Sequence, residues 1–170
     1  STPRRFCRTP MPPPAQTPRR LNMFEFKKCK FLADFAHNPA GLALLGTFIS
    51  KMEGTPKVGI ISGTGDRRDE DIRELGRLSS KYFDEIIIRC DKNLRGRTAE
   101  EIVNLLVEGI NEAKTKDIPV EIIYNEEDAI MYAYNNAKQG SLITIMCDVV
   151  SEALDFIKNL KEKEDAAVVV

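Results

Sequence analysis

The sequence has no tryptophan, a single histidine and only four cysteines among its 170 residues. Cys7, Cys29, Cys90 and Cys147 show neither CxxC spacing nor a paired histidine, so neither a metal site nor a disulfide framework is indicated. Four reduced thiols in a cytoplasmic protein are expected. No apolar run approaches the roughly 18–20 residues of a membrane span, and no apolar segment of a leader follows the basic N-terminus. No membrane association is therefore expected. Charges nearly cancel, at a net −1, so no global field draws the chain to nucleic acid. A GxxxxGK[ST] loop is also absent. Gly41 to Thr47 has the glycine spacing but lacks the lysine and lies in an apolar helical stretch. Taken alone, the chain is not expected to bind and split ATP in the P-loop manner.

What is present suits one domain with a sizeable core. Residues 1–18 are rich in proline, arginine and threonine and form a linker or tail, either disordered or an interdomain hinge. Residues 19–162 carry the folded pattern, and 163–170 are expected to be a disordered tail. Leu21–Phe26 and Lys30–Phe35 read as a β-hairpin. After Phe35 the period changes: Leu42, Leu45, Ile49 and Met52 mark a helix capped by Asn38, with Pro39 in its first turn.

Strands at Lys57–Ser62, Glu85–Arg89, Val120–Tyr124 and Leu142–Met146 then alternate with helices at Asp69–Lys81, Thr98–Ala113, Glu126–Ala137 and Val149–Lys161. Thr98 and Glu101 form a capping-box pattern. The alternation predicts an α/β, Rossmann-like, mostly parallel sheet of about six strands, helices on both faces, the hairpin adding one antiparallel edge strand.

Ligands of such sheets bind beyond the carboxyl ends of the strands. The loops there carry Asp34, His37 and Asn38; Ser62, Gly63 and Gly65 to Asp69; Asp91 to Asn93, Arg95 and Arg97; and Cys147 and Asp148. The opposite edge, at Glu53–Pro56 and Ala137–Gly140, has no comparable set. Each piece has a plain structural explanation: a hydrogen-bonding histidine, a tight turn at Gly63–Gly65, a solvated helix start at Asp66–Asp71. Their shared edge favours a site. Arginines beside backbone N–H groups suit phosphate or carboxylate oxygens, and an aspartate at a strand end can accept both hydroxyls of a ribose.

Three motifs carry a family resemblance. Asp34-Phe35-Ala36-His37-Asn38-Pro39 resembles the D-Y-A-H-N-P signature opening the C-terminal domain of Mur ligases and folylpolyglutamate synthases. Gly65-Asp66-Arg67-Arg68-Asp69-Glu70-Asp71-Ile72 and Asp91-x-x-Leu94-Arg95-Gly96-Arg97 resemble the Mur-ligase half of cyanophycin synthetase. Thr17 to Glu25 resembles that family's hinge, with Arg19 in place of a glycine; Phe35 likewise stands where tyrosine is usual.

The resemblance implies one domain of an ADP-forming carboxylate–amine ligase using ATP and Mg2+, both held mainly by a central ATPase domain that would be the partner. Its other partners would be an amino acid and an acidic peptide substrate, and an oligomer is possible. In the cyanophycin branch arginine joins an aspartate side-chain carboxylate through an acyl phosphate. Carried over by motif, Arg20, Asp34, Asn38 and Asp66 would face the nucleotide. His37, Arg67 and Arg68 would act at the reacting phosphate, and Asp91, Arg95 and Arg97 would read the amino acid. No residue is assigned to a metal. Another Mur-type ligase, or a stand-alone nucleotide or amino-acid binding module, is the alternative.

Overall fold

The computed structural model describes residues 21–167. Strands β1 (Asn22–Glu25) and β2 (Cys29–Asp34) form the hairpin, paired antiparallel from Asn22 opposite Ala33 to Glu25 opposite Lys30. The remaining elements alternate: α1 (Pro39–Ser50), β3 (Lys57–Ile61), α2 (Asp69–Tyr82), β4 (Glu85–Ile88), α3 (Ala99–Ala113), β5 (Val120–Ile122), α4 (Glu126–Asn135), β6 (Ser141–Met146) and α5 (Val150–Ala167).

The six strands lie in the order β1-β2-β6-β3-β4-β5, and every pairing except β1 with β2 is parallel. The mixed sheet with one antiparallel edge is as expected from the sequence. The last strand enters between the second and third, so β6 is covered on both edges and all six of its residues are buried.

Two cores follow from period-2 alternation along the strands. Leu32, Ile61, Ile86, Ile88 and Leu142 face α1, α2 and α3, whose Leu42, Ile49, Ile72, Leu75, Ile102 and Leu106 complete one core. Phe31, Ile60, Ile87, Ile143 and Ile145 face the other way, against Ile130, Ile157 and Leu160 of α4 and α5. Helix starts match the local signals. Thr98 Oγ1 accepts from the Glu101 N–H at 3.2 Å while the Thr98 N–H donates to Glu101, closing the capping box.

Several element ends differ from expectation by one or two residues; α1, for example, stops at Ser50, short of Met52. α5 runs to Ala167, so residues 163–167 are helical and not the start of a disordered tail. The extra turns are anchored at Glu164, which accepts from the Tyr134 hydroxyl at 3.0 Å and the Lys27 N–H at 3.1 Å, with Lys161 pairing to Asp165. These partners lie up to 137 residues away in sequence, beyond the reach of local pattern.

Candidate functional site

The carboxyl ends of β2, β6, β3, β4 and β5 share one edge of the sheet, and three concavities follow it in strand order. The first, of about 430 Å³, is bounded by Leu21, Asp34 to Asn38, Gly41, Leu44 and Leu45. Asp34 ends β2. Its Oδ1 accepts from the Ala36 N–H at 2.7 Å and its Oδ2 from the Leu21 N–H at 3.3 Å, so the carboxylate folds the strand end into the turn. Asn38 is the α1 cap, accepting from the Gly41 N–H at 2.7 Å. The His37 ring lies 5.0 Å from the Phe35 ring, with Nδ1 3.1 Å from the Phe35 carbonyl oxygen. Arg20, expected beside Asp34, lies outside the described residues, as does the segment 1–18.

The central cavity, of about 230 Å³, shares the wall Phe35–His37 with the first and is otherwise bounded by Ser62, Thr64, Asp66, Arg67, Arg89, Asp91, Asn93, Arg95 and Met146–Asp148. Two loops build it. Gly65 lies so close to the Leu94 carbonyl oxygen that a Cβ there would collide with it, which lets the β3–α2 loop lie against the β4–α3 loop. Arg97 then clamps the pair: its guanidinium donates to the carbonyls of Gly65 (3.0 Å) and Arg67 (2.9 Å) and pairs with Asp69 at 2.6 Å.

Arg95 has a positive φ of 50° and Gly96 one of 88°, a tight left-handed turn that places Arg95 within 3.3 Å of Asp66. Arg67 is half-buried here, and its Nε has no hydrogen-bond partner among the described residues. A buried guanidinium N–H without an acceptor is rare unless a ligand supplies one.

Arg68 is turned elsewhere, pairing with Asp71 at 3.1 Å on the first turn of α2. The hydrogen bonds that Arg68 donates to Asp71 raise the Arg68 pKa above its ordinary value and lower that of Asp71. Of the predicted residues, the structure therefore brings His37, Asp66, Arg67, Asp91 and Arg95 around one cavity. Asp34 and Asn38 stand beside its neighbour. Arg68 and Arg97 are occupied within the chain, and neither bounds any of the three concavities.

Sequence reasoning missed the hub. Arg89 follows β4 and is only 1% exposed, the largest fully buried side chain among the described residues. Its guanidinium reaches Asp91 Oδ1 at 2.7 Å, Glu126 Oε2 at 3.2 Å and the Met146 carbonyl oxygen. Asp91 Oδ1 also accepts from Ser62 Oγ at 3.1 Å, and Glu126 accepts from the Asp148 N–H at 3.2 Å. One cation thus ties the ends of β3, β4, β5 and β6. Burial raises the Glu126 carboxyl pKa above its ordinary 4.5, outweighing the opposing pull of Arg89. A signal existed: a charge directly after three isoleucines in an interior strand must find a partner.

Arg89, Asp91 and Asp148 also bound the third concavity, of about 600 Å³, completed by Leu94, Ala99, Tyr124, Asn125, Lys92 and the carboxylates of Glu126, Glu127 and Glu152. Lys92 Nζ pairs with Glu152 at 2.7 Å, and the Lys92 N–H donates to Asp148 at 3.2 Å. Cation-accepting groups therefore dominate this end of the edge. The arginines Arg67 and Arg95 stand at the centre.

With this geometry in view, similarity to known proteins becomes informative. Residues 19–149 match the family model described as Mur ligase, glutamate ligase domain. The chain belongs to that family. It is 36% identical over 146 residues to the cyanophycin synthetase of Synechocystis sp., covering 86% of this chain and 16% of that protein.

A UDP-N-acetylmuramoyl-L-alanyl-D-glutamate--2,6-diaminopimelate ligase of Caldanaerobacter subterraneus subsp. tengcongensis is 32% identical over 113 residues, covering 66% of this chain and 22% of that protein. The fold is shared with a solved structure described as E. coli FolC in complex with DHPP and ADP, at a TM-score of 0.63 and 16% identity, over 86% of this chain and 32% of that one. This Mur ligase domain therefore spans only 16% of the length of the cyanophycin synthetases it matches.

The residues of the domain fit an anionic ligand better than a metal. The unpartnered Arg67 Nε offers a donor to a phosphate or carboxylate oxygen in the central cavity. Among the described residues, no group of three or more His, Cys, Asp or Glu side chains could hold a metal ion. No helix among the described residues is long and apolar enough to cross a membrane.

Proposed function

We propose that this domain is the closing half of the active site in an ADP-forming ligase that joins arginine to an aspartate side-chain carboxylate of an acidic peptide. The observation that carries the reading is a juxtaposition: the cavity holding the free Arg67 donor and the carboxylate-lined cavity share Arg89, Asp91 and Asp148 as a common wall. An anion-accepting site beside a cation-accepting one is what a phosphorylated carboxylate meeting an arginine requires. The likeness to cyanophycin synthetases at 36–37% identity supports the same substrate pair.

In this reading a carboxylate oxygen of the peptide attacks the terminal phosphorus of ATP and ADP leaves, giving an acyl phosphate. The amine of arginine then attacks the acyl carbon, losing a proton as phosphate departs. Arg67 is proposed to stabilise the phosphoryl oxygens, with His37 on the wall of the same cavity and Arg68 the next residue in the chain. Asp34 would accept the ribose hydroxyls, with Arg20, Asn38 and Asp66 assisting. ATP and Mg2+ would be held mainly by a preceding P-loop domain of a cytoplasmic ligase.

Arg95 stays a candidate for the substrate carboxylate. Asp91 would act through its second oxygen, because Oδ1 is already engaged by Arg89 and Ser62. Arg97 would hold the loops together, since its donors are occupied. Glu127 forms no ion pair among the described residues and joins Asp148 as a candidate for the guanidinium.

The test is coupled ADP release by the full-length ligase with ATP, Mg2+, arginine and an aspartate-rich peptide. Arginine-dependent turnover is expected, with negligible turnover by the 170-residue chain alone. Robust ADP release by the chain alone, abolished by Asp34→Ala, would overturn the reading. Preference for glutamate or another amino acid would favour a different Mur-type ligase. Micromolar binding of ATP or arginine to the isolated chain, measured by calorimetry, would favour a stand-alone sensor.

A further inference from the structure

Helix α1 differs from the other four among the described residues. Pro39–Ser50 contains no charged side chain, in a protein whose residues are 30% charged. Leu42, Leu45 and Ile49 occupy the core, yet Leu44 is 74% exposed and Phe48, one turn on, 41%. A helix apolar on both sides belongs inside a larger assembly.

The neighbouring strand continues the same surface. Leu21 and Met23 alternate outward at the free edge of β1. Met23 stands opposite Leu32, whose side chain packs on the α1 side of the sheet, so both residues share that side. Phe35 is exposed at the end of β2, and Leu21, Phe35 and Leu44 bound one cavity together with Asp34, His37 and Asn38. Five of the nine exposed large hydrophobics among the described residues thus gather at one sheet edge. Scattered exposed hydrophobics need no explanation, but a gathered set marks an interaction surface.

We propose that this face docks the domain that precedes it in the same polypeptide, through a complementary apolar face on that domain. The proposal rests on the ligase reading for the existence of such a domain. Three observations select this occupant. The described residues begin at Leu21, inside the patch, so a domain joined ahead of it is tethered beside the patch at high effective concentration. The relative of Synechocystis sp. is matched over only 16% of its length, which leaves ample chain to cover the face. The patch is also continuous with the Asp34–His37–Asn38 corner, so docking brings a preceding domain directly over the first cavity. A second copy of this domain would have to displace the tethered neighbour.

Hydrogen–deuterium exchange tests this, comparing α1 in the full-length ligase with α1 in the 170-residue chain. Amides of Leu44–Ser50 should exchange at least about tenfold more slowly in the ligase. Leu44→Glu should remove that protection while leaving the melting temperature of the 170-residue chain unchanged, because Leu44 is largely exposed there. Equal exchange in the two proteins would overturn the proposal. So would dimerisation of the 170-residue chain in sedimentation that Leu44→Glu abolishes, since the occupant would then be a second copy. Arginine-dependent turnover without α1 protection defeats the docking and spares the function; protection without any amino-acid ligation does the reverse.

Discussion

Two polar regions of the sheet edge are opposites. The Asp34–Pro39 corner stands out in the sequence, with a carboxylate, the only histidine and a proline in six residues, yet it is open and held mainly by its own backbone. The Arg89 hub has no motif, yet it is buried and its guanidinium joins three other loops and strands. Local chemistry is conspicuous where side chains stay open and few long-range partners occupy them. Where the protein completes it internally, it vanishes into an ordinary-looking strand end.

The largest blow to this contrast should come from Arg89→Met, which keeps the stem and removes the charge. It leaves the half-buried Asp91 and Glu126 carboxylates unpaired, and urea unfolding of the chain should show a loss of about 3–5 kcal/mol. A mutant within 1 kcal/mol of wild type, on the order of a surface change, would remove the hub from the account. Gly65→Ala comes next. The new Cβ meets the Leu94 carbonyl, so the two loops must part, at a cost of about 1–3 kcal/mol read in the same experiment.

Glu126→Gln sharpens the comparison through pH. The folded Glu126 pKa lies above its unfolded value because of burial, so the folded state holds the proton more tightly. Its stabilising contribution is full below pH 4.5 and is lost as pH rises through the raised value. The glutamine variant should therefore lose less stability than wild type as pH rises from 4.5 to neutrality, in paired melting curves. The smallest effect should come from His37→Ala, whose ring meets the Phe35 ring and its carbonyl. A change within about 0.5 kcal/mol is expected, and a larger one would make the corner as self-sufficient as the hub.

Much of this molecule was legible along the chain. The switch from period 2 to period 3.6 at Phe35–Pro39, the Asn38 cap and the Thr98–Glu101 box are interactions within a few residues, and all formed as read. The central cavity was half legible, since loops at strand carboxyl ends must converge in a parallel sheet. Arg97 was legible only as part of its loop motif. The carbonyls it clamps belong to residues about 30 positions away, which no local pattern reveals.

The sequence by itself determined the alternation of strands and helices, their caps and the edge on which polar loops gather, because each rests on short-range sterics and hydrogen bonding. Only the tertiary structure decided that β6 inserts between β2 and β3. That insertion brings the Met146 carbonyl to a guanidinium 57 residues earlier, and a buried charge is satisfied only when the sheet closes around it. The same closure left the outer side of α1 uncovered, because no element of the described chain lies beyond β1 to pack on it.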